Sequence, residues 1–231
     1  MKLISVFAMG LLFIGKLTVF SQSFINLNFE QAVIVTDSGG FGIVASKALP
    51  GWTAYIDATS QQTIFYNDIS LGAAAVTLQG TNGFIVPFQG LYSVGLQSSD
   101  PGSQSMAAIA QIGQIPQNTL SLRFYASQAA TLQVTFAGQI IPLSQVGSTS
   151  SYDILGGDIS AFAGQSGELR FSSGIGPAGH GGGGFFDNIQ FSTQAIPEPS
   201  VIGLSILGGL FFAWRRCHRK ERCKRQEEHR E

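Results

Sequence analysis

Between residues 22 and 195, apolar side chains recur at every second position in short runs, and Gly, Ser, Asn and Pro punctuate the runs. Ile25, Leu27 and Phe29 alternate with Asn26 and Asn28, Leu120, Leu122 and Phe124 with Ser121 and Arg123, and Leu132, Val134 and Phe136 with Gln133 and Thr135. Period two over short lengths places the apolar set on one face of an extended chain, which is the pattern of half-buried antiparallel strands. Similar runs lie at 52–56, 75–78, 91–96, 107–112, 168–171 and 185–191, and Ala137-Gly138 between two of the runs reads as a two-residue hairpin turn. No helical periodicity occurs before Ser200 and no repeat of solenoid length is present. The pattern predicts an all-β fold, an antiparallel β-sandwich of jelly-roll-like type.

Two apolar segments bracket this region. Lys2 precedes an apolar run at 3–15, and Ser21 and Ser23 follow, with Val19 upstream. That is the layout of an N-terminal signal peptide over 1–21, which sends 22–195 out through the Sec route as one domain. Near the other end, Pro197 and Pro199 exclude helix upstream of Ser200. Ser200 can then cap a single C-terminal transmembrane helix over 201–214, closed by Arg215 and Arg216. Such a helix spans only about 21 Å against a hydrocarbon core of about 30 Å, so it is a marginal anchor. Snorkelling of the arginines and local thinning of the bilayer have to make up the difference.

Charge divides the chain in the same places. Within 22–195 the basic residues are Lys47, Arg123 and Arg170 against nine carboxylates, a net charge of −6. An acidic, lysine-poor surface repels phosphate backbones and excludes nucleic acid as a partner. The tail at 215–231 carries +4, and the positive-inside tendency keeps it cytoplasmic with 22–195 in the periplasm. Both cysteines, Cys217 and Cys223, lie in that tail, so the exported domain has no disulfide and must be held by its core and its hydrogen-bonded sheets. The spacing of Cys217, His218, Cys223 and His229 matches no common zinc finger.

Pro197, Glu198, Pro199 and Ser200, the Gly-containing apolar helix, and the basic cluster Arg215, Arg216, Arg219 and Lys220 resemble, in that order, the PEP-CTERM sorting domain of Gram-negative bacteria. The resemblance covers 196–219, within a sorting segment at 196–231. It implies an exosortase, a membrane-embedded cysteine peptidase, as partner. It also implies inner-membrane anchoring before processing, a final place at the cell surface or outside it, and association with exopolysaccharide or biofilm. The basic cluster would be the stop-transfer signal.

A second set of residues resembles galactose-binding-like jelly rolls: Asn28-Phe29-Glu30, Leu49-Pro50-Gly51-Trp52, the stretch from Pro87 to Leu96, and Phe185-Phe186-Asp187-Asn188-Ile189. That family implies an early Phe-Glu strand close to a late Asp-Asn strand. It also implies a structural calcium beside them, for which Glu30 and Asp187 are the candidate ligands.

Aromatic rings beside Asn, Asp and Gln are what a sugar site requires, because the ring covers C–H groups while polar partners fix hydroxyls. Alternation puts Trp52 on the same face as Ala54 and Ile56, so it reads as core, and Tyr55, Tyr66 and Asp68 are the candidate carbohydrate-binding residues. The glycine-rich stretch 173–184 around His180 has no Gly-Lys-Ser and leads into a strand, so it is a loop and not a phosphate cradle. No cysteine nucleophile lies in the exported region, and His180 is its only histidine. The expectation is therefore a non-catalytic envelope or extracellular-matrix protein. The rivals are a carbohydrate-binding module with a specific glycan site and a glycosidase built on carboxylates such as Glu30 or Glu168.

Overall fold

The computed structural model describes residues 22–196 except Phe41, Ile69, Leu71, Phe84, 101–103 and 177–180. The expected signal peptide, sorting motif, transmembrane helix and basic tail lie outside the described residues, as does His180. Among the described residues no helix is long and apolar enough to cross a membrane.

The described chain is nearly all β. In order it forms β1 (Ile43–Val44), a single helical turn α1 (Ala45–Ala48), β2 (Thr53–Ile56), β3 (Thr59–Gln61), β4 (Thr63–Tyr66), β5 (Ala75–Gly80), β6 (Tyr92–Gln97) and β7 (Ala107–Gln114). There follow β8 (Ser121–Ser127), β9 (Leu132–Phe136), β10 (Gln139–Ile141), β11 (Ser144–Ser148), β12 (Asp153–Asp158), β13 (Ser166–Ser173) and β14 (Gly183–Ser192). They make an eight-stranded sheet, β1-β4-β5-β6-β14-β8-β12-β11, and a six-stranded sheet, β10-β9-β13-β7-β2-β3. All the strand pairings are antiparallel except β4 with β5.

Alternation explains how the two sheets face each other. On β9 Leu132, Val134 and Phe136 are buried, and on β13 Leu169 and Phe171 are buried, while Gln133 is exposed between them. On the eight-stranded sheet Val76, Leu78, Val94, Leu96, Phe124 and Phe186 turn inward. The centre is a cluster of rings drawn from both layers. Phe186 of β14 stacks on Phe171 of β13 at 4.6 Å and 9° between planes, and Phe29, Phe124 and Trp52 surround the pair edge-on or tilted. Trp52 is core, as its alternation predicts, and its indole N–H donates to the Asn26 carbonyl at 3.1 Å.

The Ala137-Gly138 hairpin also forms as predicted. Both residues have positive φ, +48° and +78°, and Phe136 pairs with Gln139 across them. That is the twist a two-residue hairpin needs.

The expected strand at 25–29 does not form. Asn26 and Phe29 take left-handed φ of +50° and +58°, which an extended strand cannot accommodate. The segment turns instead: Asn26 Oδ1 accepts the Gln31 N–H at 3.0 Å, and Asn26 Nδ2 donates to the Pro50 carbonyl at 3.2 Å. Its apolar positions still pack, since Phe29 is fully buried and the Ile189 N–H of β14 reaches the Leu27 carbonyl at 2.9 Å. The early Phe-Glu segment therefore does lie beside the late Asp-Asn strand, as coil and not as a sheet partner.

Candidate functional site on the outer face of the large sheet

Thr77 and Gln79 of β5 and Ser93 of β6 point away from the core by alternation, yet all three are buried. Something must cover them, and the segments near 67–72 and 81–91 do so. The Asp68 carbonyl accepts Thr77 Oγ1 at 2.9 Å and Gln79 Nε2 at 3.2 Å, and the Ser70 carbonyl accepts Gln97 Nε2 at 2.9 Å. Gln79 and Ser93 stand opposite each other in the β5–β6 register, and Gln79 Oε1 and Ser93 Oγ are buried with no hydrogen-bond partner.

Asp187 continues this polar surface on β14. It lies two residues beyond Phe185 on the same face, pairs across to Tyr125 of β8, and is fully buried. Its Oδ2 accepts the Gln89 N–H at 2.9 Å, and its Oδ1 accepts the Asn188 N–H at 2.6 Å, where Asn188 turns left-handed at a register shift in β14. Glu30 holds the other end of the covering loop, its two carboxylate oxygens taking the Leu91 N–H at 2.9 and 3.0 Å and the Tyr92 N–H at 3.1 Å. Gly90, with φ +65°, permits that grip because a Cβ there would collide with the Glu30 carboxylate.

Three rings rise beside Asp187. Tyr125 and Tyr152 stack at 4.4 Å and 25°, and Phe88 of the covering loop lies 5.5 Å from Tyr152. All three are half-buried, so part of each ring meets solvent. Partial burial first, then the neighbouring Tyr125 and Asp187, push the Tyr152 hydroxyl above its ordinary pKa. The same sheet carries a cavity of about 220 Å³ lined by Thr77, Gly95, Gln97, Gln128, Gly182 and Phe185, of which Phe185 lies two residues before Asp187 on the same face. Glycine at 95 is required there, because a Cβ would stand 2.6 Å from the Phe185 ring and 2.7 Å from the Thr77 methyl. The face thus combines a partly exposed ring at Phe185, a mostly apolar hollow and a stacked ring pair.

The residues singled out from sequence are distributed differently. Tyr55 lies on β2 of the six-stranded sheet, where the Arg170 guanidinium sits 4.5 Å from its ring centroid and Glu168 lies 3.7 Å from Arg170. Tyr66 lies on β4 of the other sheet and packs against the core. Asp68 contributes its backbone carbonyl to the covering segment while its side chain is exposed. The structure therefore does not bring Tyr55 together with Tyr66 and Asp68. Tyr152 escaped sequence reading because it is an isolated aromatic in the polar run 148–153, and no periodicity marks it.

Glu30 and Asp187 do share a neighbourhood, and the Glu30 carboxylate raises the Asp187 pKa further. They do not fit a calcium site. Calcium takes six to eight oxygens, whereas the groups converging on these two carboxylates are backbone N–H donors, the wrong polarity for a cation shell. Among the described residues no group of three His, Cys, Asp or Glu assembles to hold a metal.

Burial pushes the Asp187 carboxyl up to about 7, against the opposing pull of the Gln89 and Asn188 N–H groups. A carboxyl whose folded value lies above its unfolded value stabilises the fold when protonated, and that contribution is lost as pH rises from about 4 to 7. The β-sandwich domain should therefore melt roughly 5 °C higher at pH 5 than at pH 8. Asp187→Asn, which keeps an acceptor but cannot ionise, should abolish the difference. Comparing the two chains by calorimetry cancels every other titrating group, and equal slopes in both would refute the assignment.

The fold and the site together define a class, a two-sheet β-sandwich with a covered polar row and an aromatic ladder on the outer face of its larger sheet. No family model matches the chain, and no curated protein matches it. Among solved structures, a cyclase from Fischerella sp. TAU is similar over 73% of this chain and 94% of its own, with 14% identity and a TM-score of 0.41. The enzymatically active domain of tailspike protein 4 from bacteriophage CBA120 is similar over 71% of this chain and 21% of its own, with 17% identity and a TM-score of 0.34. At those scores the similarities assign neither an activity nor a ligand to this chain.

Proposed function

We propose that this chain is an exported, exosortase-sorted bacterial envelope or extracellular-matrix protein. It acts non-catalytically and holds polysaccharide on the outer face of its eight-stranded sheet. Its sandwich is jelly-roll-like in the galactose-binding sense, a reading supported by the meeting of the Phe29-Glu30 segment with Asp187. The observation that carries the binding role is the stacked Tyr125–Tyr152 pair with Phe88, set beside the buried acid Asp187. A glycosidase is the weaker alternative, because a hydrolase needs two carboxylates free to face the bond it cuts. Glu30 and Asp187 instead hold backbone N–H groups, and Glu168 lies beside Arg170 on the other sheet.

The test is a polysaccharide panel presented to residues 22–196, followed by titration of the best ligand. Saturable binding is expected, with Tyr152→Ala weakening it about fivefold. Losing one aromatic contact is worth on the order of 1 kcal/mol, and 1.4 kcal/mol is a factor of ten. Tyr55→Ala, on the opposite sheet, should leave affinity unchanged. Binding that is undiminished by Tyr152→Ala, or lost with Tyr55→Ala, would relocate the site.

A further inference from the structure

Arg123 is one of only three basic residues in 22–195, and its guanidinium is directed at the chain's own exit. From β8 its Nη2 donates to the Ala195 carbonyl at 3.1 Å and the Gln194 carbonyl at 3.4 Å, and its Nη1 donates to Gln194 Oε1 at 3.3 Å. Its Nε donates to Ser121 Oγ at 3.2 Å, and that hydroxyl donates to the Gln194 carbonyl at 2.6 Å. The Gln194 N–H is taken by Ser192 Oγ at 3.1 Å. The side chain of Ile196 fills the space beside Gly156 of β12, coming within 2.6 Å of where a Cβ on that glycine would stand. A charged donor aimed at consecutive carbonyls makes stronger bonds than a neutral one. The chain is thus pinned to the sheet up to the residue immediately before Pro197.

That position matters because of the distance that remains. Five residue steps separate Ile196 from Val201, where the apolar run begins, and a fully extended chain covers at most about 18 Å in five steps. A peptidase that grips its substrate as an extended strand needs several free residues on each side of the motif. While 194–196 are bonded to β8 and packed on β12, the upstream side of the motif is not free.

We propose that Arg123 and Ser121 form a latch that holds residues 194–196 against the folded domain and withholds the adjoining Pro197-Glu198-Pro199 from its membrane peptidase until the latch opens. The peptidase part rests on the sorting role proposed above, while the latch itself rests on the hydrogen bonds alone. Opening exposes an extended strand with unpaired backbone groups, the form a peptidase binds. Folding of the domain and release of its anchor are coupled through one arginine.

The test uses the full-length chain in two arms. In detergent micelles, a protease of broad specificity should cut Arg123→Gln between residues 193 and 200 at least tenfold faster than the parent, with the melting temperature of the domain unchanged. Ser121→Ala should do the same to a smaller degree, and Arg123→Lys, which can reach one carbonyl but not several, should fall between. In a host with an exosortase, Arg123→Gln should be processed several-fold faster in a pulse-chase. Equal protease sensitivity of parent and variant overturns the latch. Faster proteolysis combined with slower exosortase processing overturns the withholding role and makes the contact a presenting one. A parent chain that keeps Glu231 in the exosortase host, beside a protease-sensitive variant, overturns the peptidase coupling and the sorting role while leaving the contact itself demonstrated.

Discussion

Phe186→Ala should destabilise the β-sandwich domain by about 3–5 kcal/mol, the range for deleting a large ring from a well-packed core. Phe186 is fully buried and is the ring that joins the layers, stacked on Phe171 of the opposite sheet and edge-on to Phe29 and Phe124 of its surroundings. Its neighbours cannot collapse into the space it leaves. Phe171 and Phe124 are held by strand registers on both sides, and Phe29 is fixed in a left-handed turn. A native domain has only about 5–15 kcal/mol in total, and this one has no disulfide to offset the loss. The melting temperature should fall by about 10 °C or more in a thermal scan. Phe186→Leu should recover part of the loss by refilling volume. The comparison residue is Ile112, 74% exposed on β7, whose replacement by Ala should change stability by no more than about 0.5 kcal/mol. Equal effects at 186 and 112 would mean that the ring cluster is not the centre of the core.

Replacing Pro197-Glu198-Pro199 by three alanines should abolish C-terminal processing while leaving export intact. Alanine is the strongest helix former and proline the weakest, by about 3 kcal/mol per residue, so the substitution would let the helix expected from Ser200 onward extend upstream. A helical segment presents no extended backbone to a peptidase. The unprocessed chain should then accumulate in the inner membrane with its basic tail attached, oriented by Arg215, Arg216, Arg219 and Lys220. Mass spectrometry of the C-terminus reads the outcome directly. In a host with an exosortase the parent should lose Glu231 and the alanine chain should keep it, and in a host without one both should keep it. An intact Glu231 in the parent in both hosts would reduce the segment to a plain membrane anchor.

The sequence by itself determined the β character of this protein and the inward face of most strands. Leu132, Val134 and Phe136 alternate as they pack, Ala137-Gly138 turns as its residue types require, and Trp52 is in the core. These are local matters, since period two follows from the pleat and positive φ from the turn. Alternation fails where a tertiary contact outweighs it. At 25–29 the apolar spacing promises a strand, but the bonds of Asn26 with Pro50, Trp52 and Gln31 pull the chain into turns.

Only the tertiary structure decided which residues meet at the candidate site. Alternation cannot say which sheet a strand joins, so Tyr55 and Tyr66, eleven residues apart, look like neighbours and end on different sheets. Nor can it say what covers an outward face, which is why Gln79, Ser93 and Asp187 look solvent-facing and are fully buried. The bond from the Gln89 N–H to Asp187 spans 98 residues, and the bonds from Arg123 to Gln194 and Ala195 span 71 and 72. Contacts at that separation depend on the register of several strands at once, and a sequence states each strand's pattern without stating which strands meet.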